Sequence, residues 1–180
     1  MIRKDKTIMS REFFRLGNIR ELEKWLETTD YFTAPASTRH HGCYTGGLYE
    51  HSYNVAALLA EWTDMLGITW LDRRSPYVVG LLHDVCKIGN YVWNEESGRW
   101  VYNTEHKGVG HGTLSVKMIE EQGFKLNDEE RACILYHMGT YTADIGNDDG
   151  EPNYSQIIER YHNVLWTHTA DMYASQILKK

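Results

Sequence analysis

An all-α fold class, a helical bundle interrupted by one small β-hairpin, is what three features of this sequence predict. Apolar residues recur at three- and four-residue spacing along most of the chain. The 180 residues include only three prolines, two of them placed at helix starts, as a helix-rich chain tolerates. One stretch departs from the helical period: Tyr91-Val92-Trp93 and Trp100-Val101-Tyr102 flank a turn containing Gly98 and read as paired strands.

The first helix is expected over residues 12–28 and the second over 48–66, where the inward stripe runs Leu48, Val55, Leu58, Leu59 and Trp62. Ser75-Pro76 reads as the cap and first residue of a third helix, apolar on nearly every side as far as Ile88. After the hairpin, helices are expected over 112–122 and 128–138, the second capped by Asn127 or Asp128 with Glu130 following. Gly146 and Gly150 mark residues 144–153 as a loop, and Pro152 introduces a last helix over 154–178. Nothing resembling a repeat, low-complexity tract or linker divides the chain, so residues 1–180 read as one domain.

Composition excludes several classes. With 19 Lys+Arg against 25 Asp+Glu the net charge is −6, which argues against a general nucleic-acid coat. A hydrophobic content of 42%, with six Trp and twelve Tyr, is too apolar for a disordered chain. The longest apolar run, residues 77–82, falls far short of the roughly 20 residues of a membrane helix, so no membrane partner is expected. Met1 to Lys6 is charged and no apolar signal region follows, which makes the cytoplasm the expected location. Cys43, Cys86 and Cys133 are odd in number and form no CxxC pair, against a disulfide framework or a thiolate zinc site.

Polar residues on apolar faces carry the functional signal. His51 lies three residues after Leu48 and four before Val55, on the inward stripe. His83-Asp84 sits within the apolar segment after Pro76, where an ionised carboxylate is costly unless paired or bound to a cation. The last stripe, Ile157, Tyr161, Val164, His168, Asp171, Ser175, turns Asp171 inward as well. His111 heads a Leu114–Met118 stripe, and His137 lies one turn after Cys133 and Ile134. Any one of these reads most simply as a satisfied core histidine or a metal-free His–Asp pair. Together, two acids and four histidines directed at one interior call for a positive centre, and nitrogen and oxygen donors suit a divalent metal.

Gly46-Gly47-Leu48-Tyr49-Glu50-His51, Leu81-Leu82-His83-Asp84-Val85-Cys86-Lys87-Ile88 and His168-Thr169-Ala170-Asp171 resemble the H…HD…D signature of the HD superfamily of metal-dependent phosphohydrolases. Gly110-His111-Gly112 and Tyr136-His137-Met138-Gly139 are similar to the extra histidines of dinuclear members. The resemblance spans residues 46–177 and is greatest to the small bacterial and phage HD hydrolases and the HD domain of YhaM-type exoribonucleases. It implies an HD-domain bundle in which 1–45 is a helical extension and loop, and 46–180 the metal-binding core. It implies that His51, His83, Asp84 and Asp171 hold a first ion, and that Asp84 bridges to a second held by His111 and His137. Lys87 resembles the lysine that faces the phosphate, so Asp84 and Lys87 are the expected catalytic pair. His168 is expected to orient the Asp171 carboxylate. Cys86 replaces a common glycine, with helix packing as its expected consequence, and Met138 leaves the second ion one ligand fewer.

The implied activity is hydrolysis of a phosphomonoester or phosphodiester, with a nucleotide as expected substrate and one or two divalent ions as cofactor, Mn, Fe, Co, Ni, Mg and Zn all remaining open. Arg39, in the basic run Arg39-His40-His41, is the expected contact for a substrate phosphate. The hairpin reads as a lid or an oligomer contact, which keeps a homo-oligomer in view. Two alternatives predict different observables. A diiron oxygenase on the same scaffold predicts bound iron and oxygen uptake, and a non-catalytic regulatory module predicts nucleotide binding without turnover.

Overall fold

The computed structural model describes residues 12–105, 111–141 and 153–178. The expected 144–153 loop falls outside these residues except for Asn153, as does the glycine stretch before His111. The chain forms α1 (12–16), α2 (Arg20–Glu27), α3 (Gly47–Leu66), α4 (Ser75–Leu82), β1 (Tyr91–Asn94), β2 (Arg99–Tyr102), α5 (His111–Glu121), α6 (Asp128–Leu135), α7 (Tyr154–Arg160) and α8 (Asn163–Gln176). This is the helical bundle with a hairpin that the sequence predicts. No helix among the described residues is long and apolar enough to cross a membrane.

Four expected helices are broken or shortened, among them the 128–138 helix, which ends at Leu135 and leaves His137 in the turn beyond it. The 12–28 helix is two helices, because Asn18 takes a left-handed backbone with φ 52° after Gly17. The 154–178 helix divides at Tyr161, which leaves helical geometry at φ −133°, ψ 89°. The segment after Pro76 stays α-helical only to Leu82, and a short 3₁₀ turn covers Val85–Lys87. Its cause is a competing donor: the Ser115 hydroxyl on α5 donates to the His83 carbonyl at 2.7 Å. The Lys87 N–H, which would reach that carbonyl in an α-helix, donates to Asp84 O instead.

α3 is the spine. It buries Leu48, His51, Ser52, Val55, Ala56, Leu58 and Leu59 on one face. α4 packs against it so closely that a Cβ at Gly80 would collide with the Ala56 backbone. Leu81, Leu82, Ile119, Ile134 and Val164 complete a core with no solvent exposure, joining α4, α5, α6 and α8. A buried polar network fixes the register of α6 against its neighbours. Glu129 accepts the Leu71 N–H at 2.7 Å and the Asn163 amide at 2.9 Å. Asn127 and Glu130 form the expected capping box of α6, and Glu130 also accepts the Ser75 hydroxyl at 3.0 Å, tying α6 to the start of α4.

The hairpin pairs Tyr91 with Tyr102 and Trp93 with Trp100 in antiparallel register. It is pinned next to the His83-Asp84 turn: the Asn103 N–H donates to Asn90 O and its side-chain amide to Gly89 O.

Candidate metal centre

Four separate stretches deliver the donor atoms. His51 comes from the second turn of α3, His83 and Asp84 from the turn where α4 ends, His137 from the turn after α6, and Asp171 from α8. His51, His83 and His137 are all under 5% exposed, and Asp84 and Asp171 under 9%. His51 Nε2 lies 3.0 Å from Asp171 Oδ1, 3.5 Å from Asp84 Oδ2 and 3.2 Å from His83 Nε2. His83 Nε2 is 3.4 Å from Asp84 Oδ2, and His137 Nε2 is 3.6 Å from Asp84 Oδ1. Asp84 therefore turns one carboxylate oxygen to His51 and His83 and the other to His137.

Main-chain carbonyls set the tautomers. A carbonyl can only accept, so His83 Nδ1–H donates to Gly80 O at 2.9 Å and His137 Nδ1–H to Ile134 O at 2.8 Å. Each ring then presents its Nε2 to the centre, as a histidine ligand requires. The acceptor-to-acceptor crowding shows that this donor set suits a cation. His137 Nε2 is buried without a hydrogen-bond partner and faces a carboxylate oxygen. A His51–Asp171 hydrogen bond alone would leave His83 Nε2 and His137 Nε2 facing other acceptors. A divalent ion held by His51, His83, Asp84 and Asp171 would answer all of them. The ligand atoms of His51, His83 and Asp171 lie within 4.8 Å of one another, and so do those of Asp84, Cys86 and His111.

Electrostatics agree. Burial holds the His51 imidazole below its ordinary range, while His83, equally buried, is raised because the Asp84 carboxylate outweighs its desolvation. Against desolvation, Lys87 and His83 hold Asp84 well below the usual carboxylate range, and hydrogen bonding to His51 does the same for Asp171. Two ionised carboxylates thus share one buried space and attract positive charge.

The remaining expected site residues take other places. Lys87 Nζ donates to Asp84 Oδ2 at 2.6 Å, so its ammonium neutralises the carboxylate directly. His111 begins α5 but is exposed, and the buried face of that helix is Gly112, Ser115, Val116 and Ile119 rather than Leu114 and Met118. It reaches the centre from the Cys86 side, with Nδ1 3.5 Å from Cys86 Sγ. His168 does not bond Asp171. Its Nδ1–H donates to the His137 carbonyl at 2.7 Å and fixes the backbone that carries the His137 ring. Arg39 lies outside the cluster, in a cleft against the hairpin.

Three participants were not expected as such. Cys86, read as a packing residue, places its sulfur beside Asp84 and His111, and burial pushes its thiol up to about 12. Ser115 pins the His83-Asp84 turn from both sides, accepting the Cys86 N–H at 3.2 Å while donating to His83 O. His41 packs its ring against His51 with centroids 4.6 Å apart. The adjacent His40-His41 pair before the first ligand helix was the available signal for it.

The HD domain family model matches residues 48–169, and the chain belongs to that family. It is also similar to a dihydroneopterin 2′,3′-cyclic phosphate phosphodiesterase of Methanocaldococcus jannaschii, 30% identical over 112 residues. That match takes in 61% of this chain and 43% of the relative, so the chain matches under half the relative's length. No solved structure matches the chain.

Proposed function

We propose that this protein is a metal-dependent phosphohydrolase that cleaves a phosphoester, most simply a phosphodiester, of a nucleotide-like molecule. The observation that carries this reading is the convergence of His51, His83, Asp84, His137 and Asp171, with the His83 and His137 tautomers fixed from outside the cluster. The M. jannaschii relative, whose name gives a cyclic phosphodiester joined to a pterin, supports the same bond type. His51, His83, Asp84 and Asp171 would hold one ion, and Asp84 with His111, His137 and Cys86 offers donors for another. Such an ion supplies a water made acidic near neutral pH and a Lewis acid for the phosphoryl oxygens.

The chain's own residues do the rest. Lys87 stays protonated because Asp84 raises its affinity for the proton against burial, and it puts a fixed positive charge beside the centre for an incoming phosphoryl group. The carbonyls of Gly80 and Ile134 prevent the His83 and His137 rings from rotating, so the centre is organised before substrate arrives. Phosphate release from a panel of nucleotides and cyclic nucleotides, after loading with Mn²⁺, Co²⁺, Ni²⁺, Fe²⁺ or Mg²⁺, tests this. Turnover should appear with at least one ion and vanish in Asp84→Asn while its circular dichroism stays unchanged. Full turnover in folded Asp84→Asn, or oxygen uptake in place of phosphate release, would overturn it.

A further inference from the structure

Beside the metal centre lies a second feature that no part of the ligand set uses. A cleft of about 480 Å³ opens between the loop at residues 37–40 and strand β2, residues 99–102. Its size is within the range of small-molecule sites. Arg39 stands on one wall and Arg99 on the other, and among the described residues neither guanidinium has an ion-pair or hydrogen-bond partner. In a chain of net charge −6 with acidic residues to spare, two unpaired arginines facing one cleft form a local anion site. Trp100 adds a half-buried aromatic wall whose ring is held edge-on against Trp93 at 5.7 Å.

Both walls are built onto the centre. On the loop side, the His40 N–H donates to Ser37 Oγ and the Ser37 hydroxyl donates to His41 O, each at 2.9 Å, while the His41 ring rests on His51. On the hairpin side, the Tyr91 ring lies tilted against Tyr102 with centroids 5.3 Å apart and in the field of the Lys87 ammonium. The cleft therefore adjoins the centre through His40-His41 on one side and the Tyr91–Tyr102 pair on the other, next to where a phosphate at the centre would sit.

We infer that this cleft is the subsite for the distal part of the substrate: a heteroaromatic ring placed against Trp100, and a second anionic group held by Arg39 and Arg99. The substrate class is then a nucleotide that carries at least one phosphate besides the one cleaved. This rests on the hydrolase reading but makes its own claim about binding.

Calorimetric titration of the chelator-treated protein with ATP, adenosine and inorganic triphosphate tests it without turnover. ATP should bind more tightly than either fragment, and raising the salt should weaken ATP and triphosphate but not adenosine. Arg39→Ala and Arg99→Ala should each weaken ATP and triphosphate about tenfold or more and leave adenosine alone, whereas Trp100→Ala should weaken ATP and adenosine. The two arginines lie on different segments and both are exposed, so at least one variant keeps the fold, as circular dichroism checks. Equal ATP affinity in wild type and both arginine variants, or ATP binding no tighter than adenosine, would overturn the inference. Arginine-dependent ATP binding without phosphate release from any ester would support the cleft and refute the hydrolase reading. Phosphate release with arginine-independent ATP binding would do the reverse.

Discussion

His51 and His83 hold their Nε2 atoms 3.2 Å apart in the protein interior, although they come from different segments of the chain. Gly80 makes that approach possible, because only a residue without a side chain lets α4 settle on the Ala56 backbone of α3. Gly80 also supplies the carbonyl that orients His83. Gly80→Ala should therefore cost about 1–3 kcal/mol by overpacking and weaken Co²⁺ affinity in the same variant. Denaturant unfolding and metal titration would check both, and a variant with wild-type affinity would separate the helix packing from the centre.

Lys87 and Asp84 form a buried pair at 2.6 Å, with the lysine side chain 12% exposed. Lys87→Met leaves the carboxylate without its ammonium, which for a broken buried pair costs about 3–5 kcal/mol. A divalent ion can neutralise the same carboxylate, so added Mn²⁺ should return more stability to the variant than to wild type. Equal stabilisation of the two proteins in urea melts would contradict that exchange of cations.

Glu130 is fully buried and works at three places: its carboxylate accepts the Asn127 N–H at 3.0 Å and the Ser75 hydroxyl at 3.0 Å, and faces Arg74 Nε at 3.5 Å. Glu130→Ala removes half a capping box and strands the serine, for an expected loss of about 2 kcal/mol. Chemical denaturation measures it directly, and a loss within a few tenths would mean that α6 does not depend on its cap.

How much of this was legible beforehand follows the range of the interactions. Asn127 and Glu130 could be read as a cap because both partners lie within one turn. The inward stripes of α3 and α8, with His51 and Asp171 on them, were legible for the same reason, since Val55 and Val164 show which face is inward. The break at Gly17-Asn18 is encoded locally, but the apolar spacing that continues on either side masks it. The unwinding at Asp84 was not legible, because it depends on Ser115, a donor 32 residues after His83. His168 misled because helical spacing reports its neighbour Asp171 on its own helix, whereas its hydrogen bond crosses to His137. Arg39 and Arg99 meet only through the packing of a loop on a hairpin, which no local pattern encodes.

His41 gives the protein a pH signature. Burial, aided by His51, holds its imidazole at about 4 against an ordinary 6.5. Below 6.5 the unfolded chain takes up this proton and the folded chain does not, so stability contributed by neutral His41 is present above that pH and is lost as pH falls towards about 4. In chelator-treated protein, wild type should lose stability relative to His41→Gln across that window. Urea unfolding of both proteins between pH 7 and 4 would show it, and parallel stability curves would contradict it.

Metal content after loading and desalting tests the central claim most directly: His51, His83, Asp84 and Asp171 from three parts of the chain share one divalent ion. Mass spectrometry should find at least one equivalent of metal per wild-type chain, and under a tenth of that in His83→Ala and in Asp171→Ala with helical content unchanged. Wild-type protein that retains no divalent ion, or variants that retain as much as wild type, would contradict it.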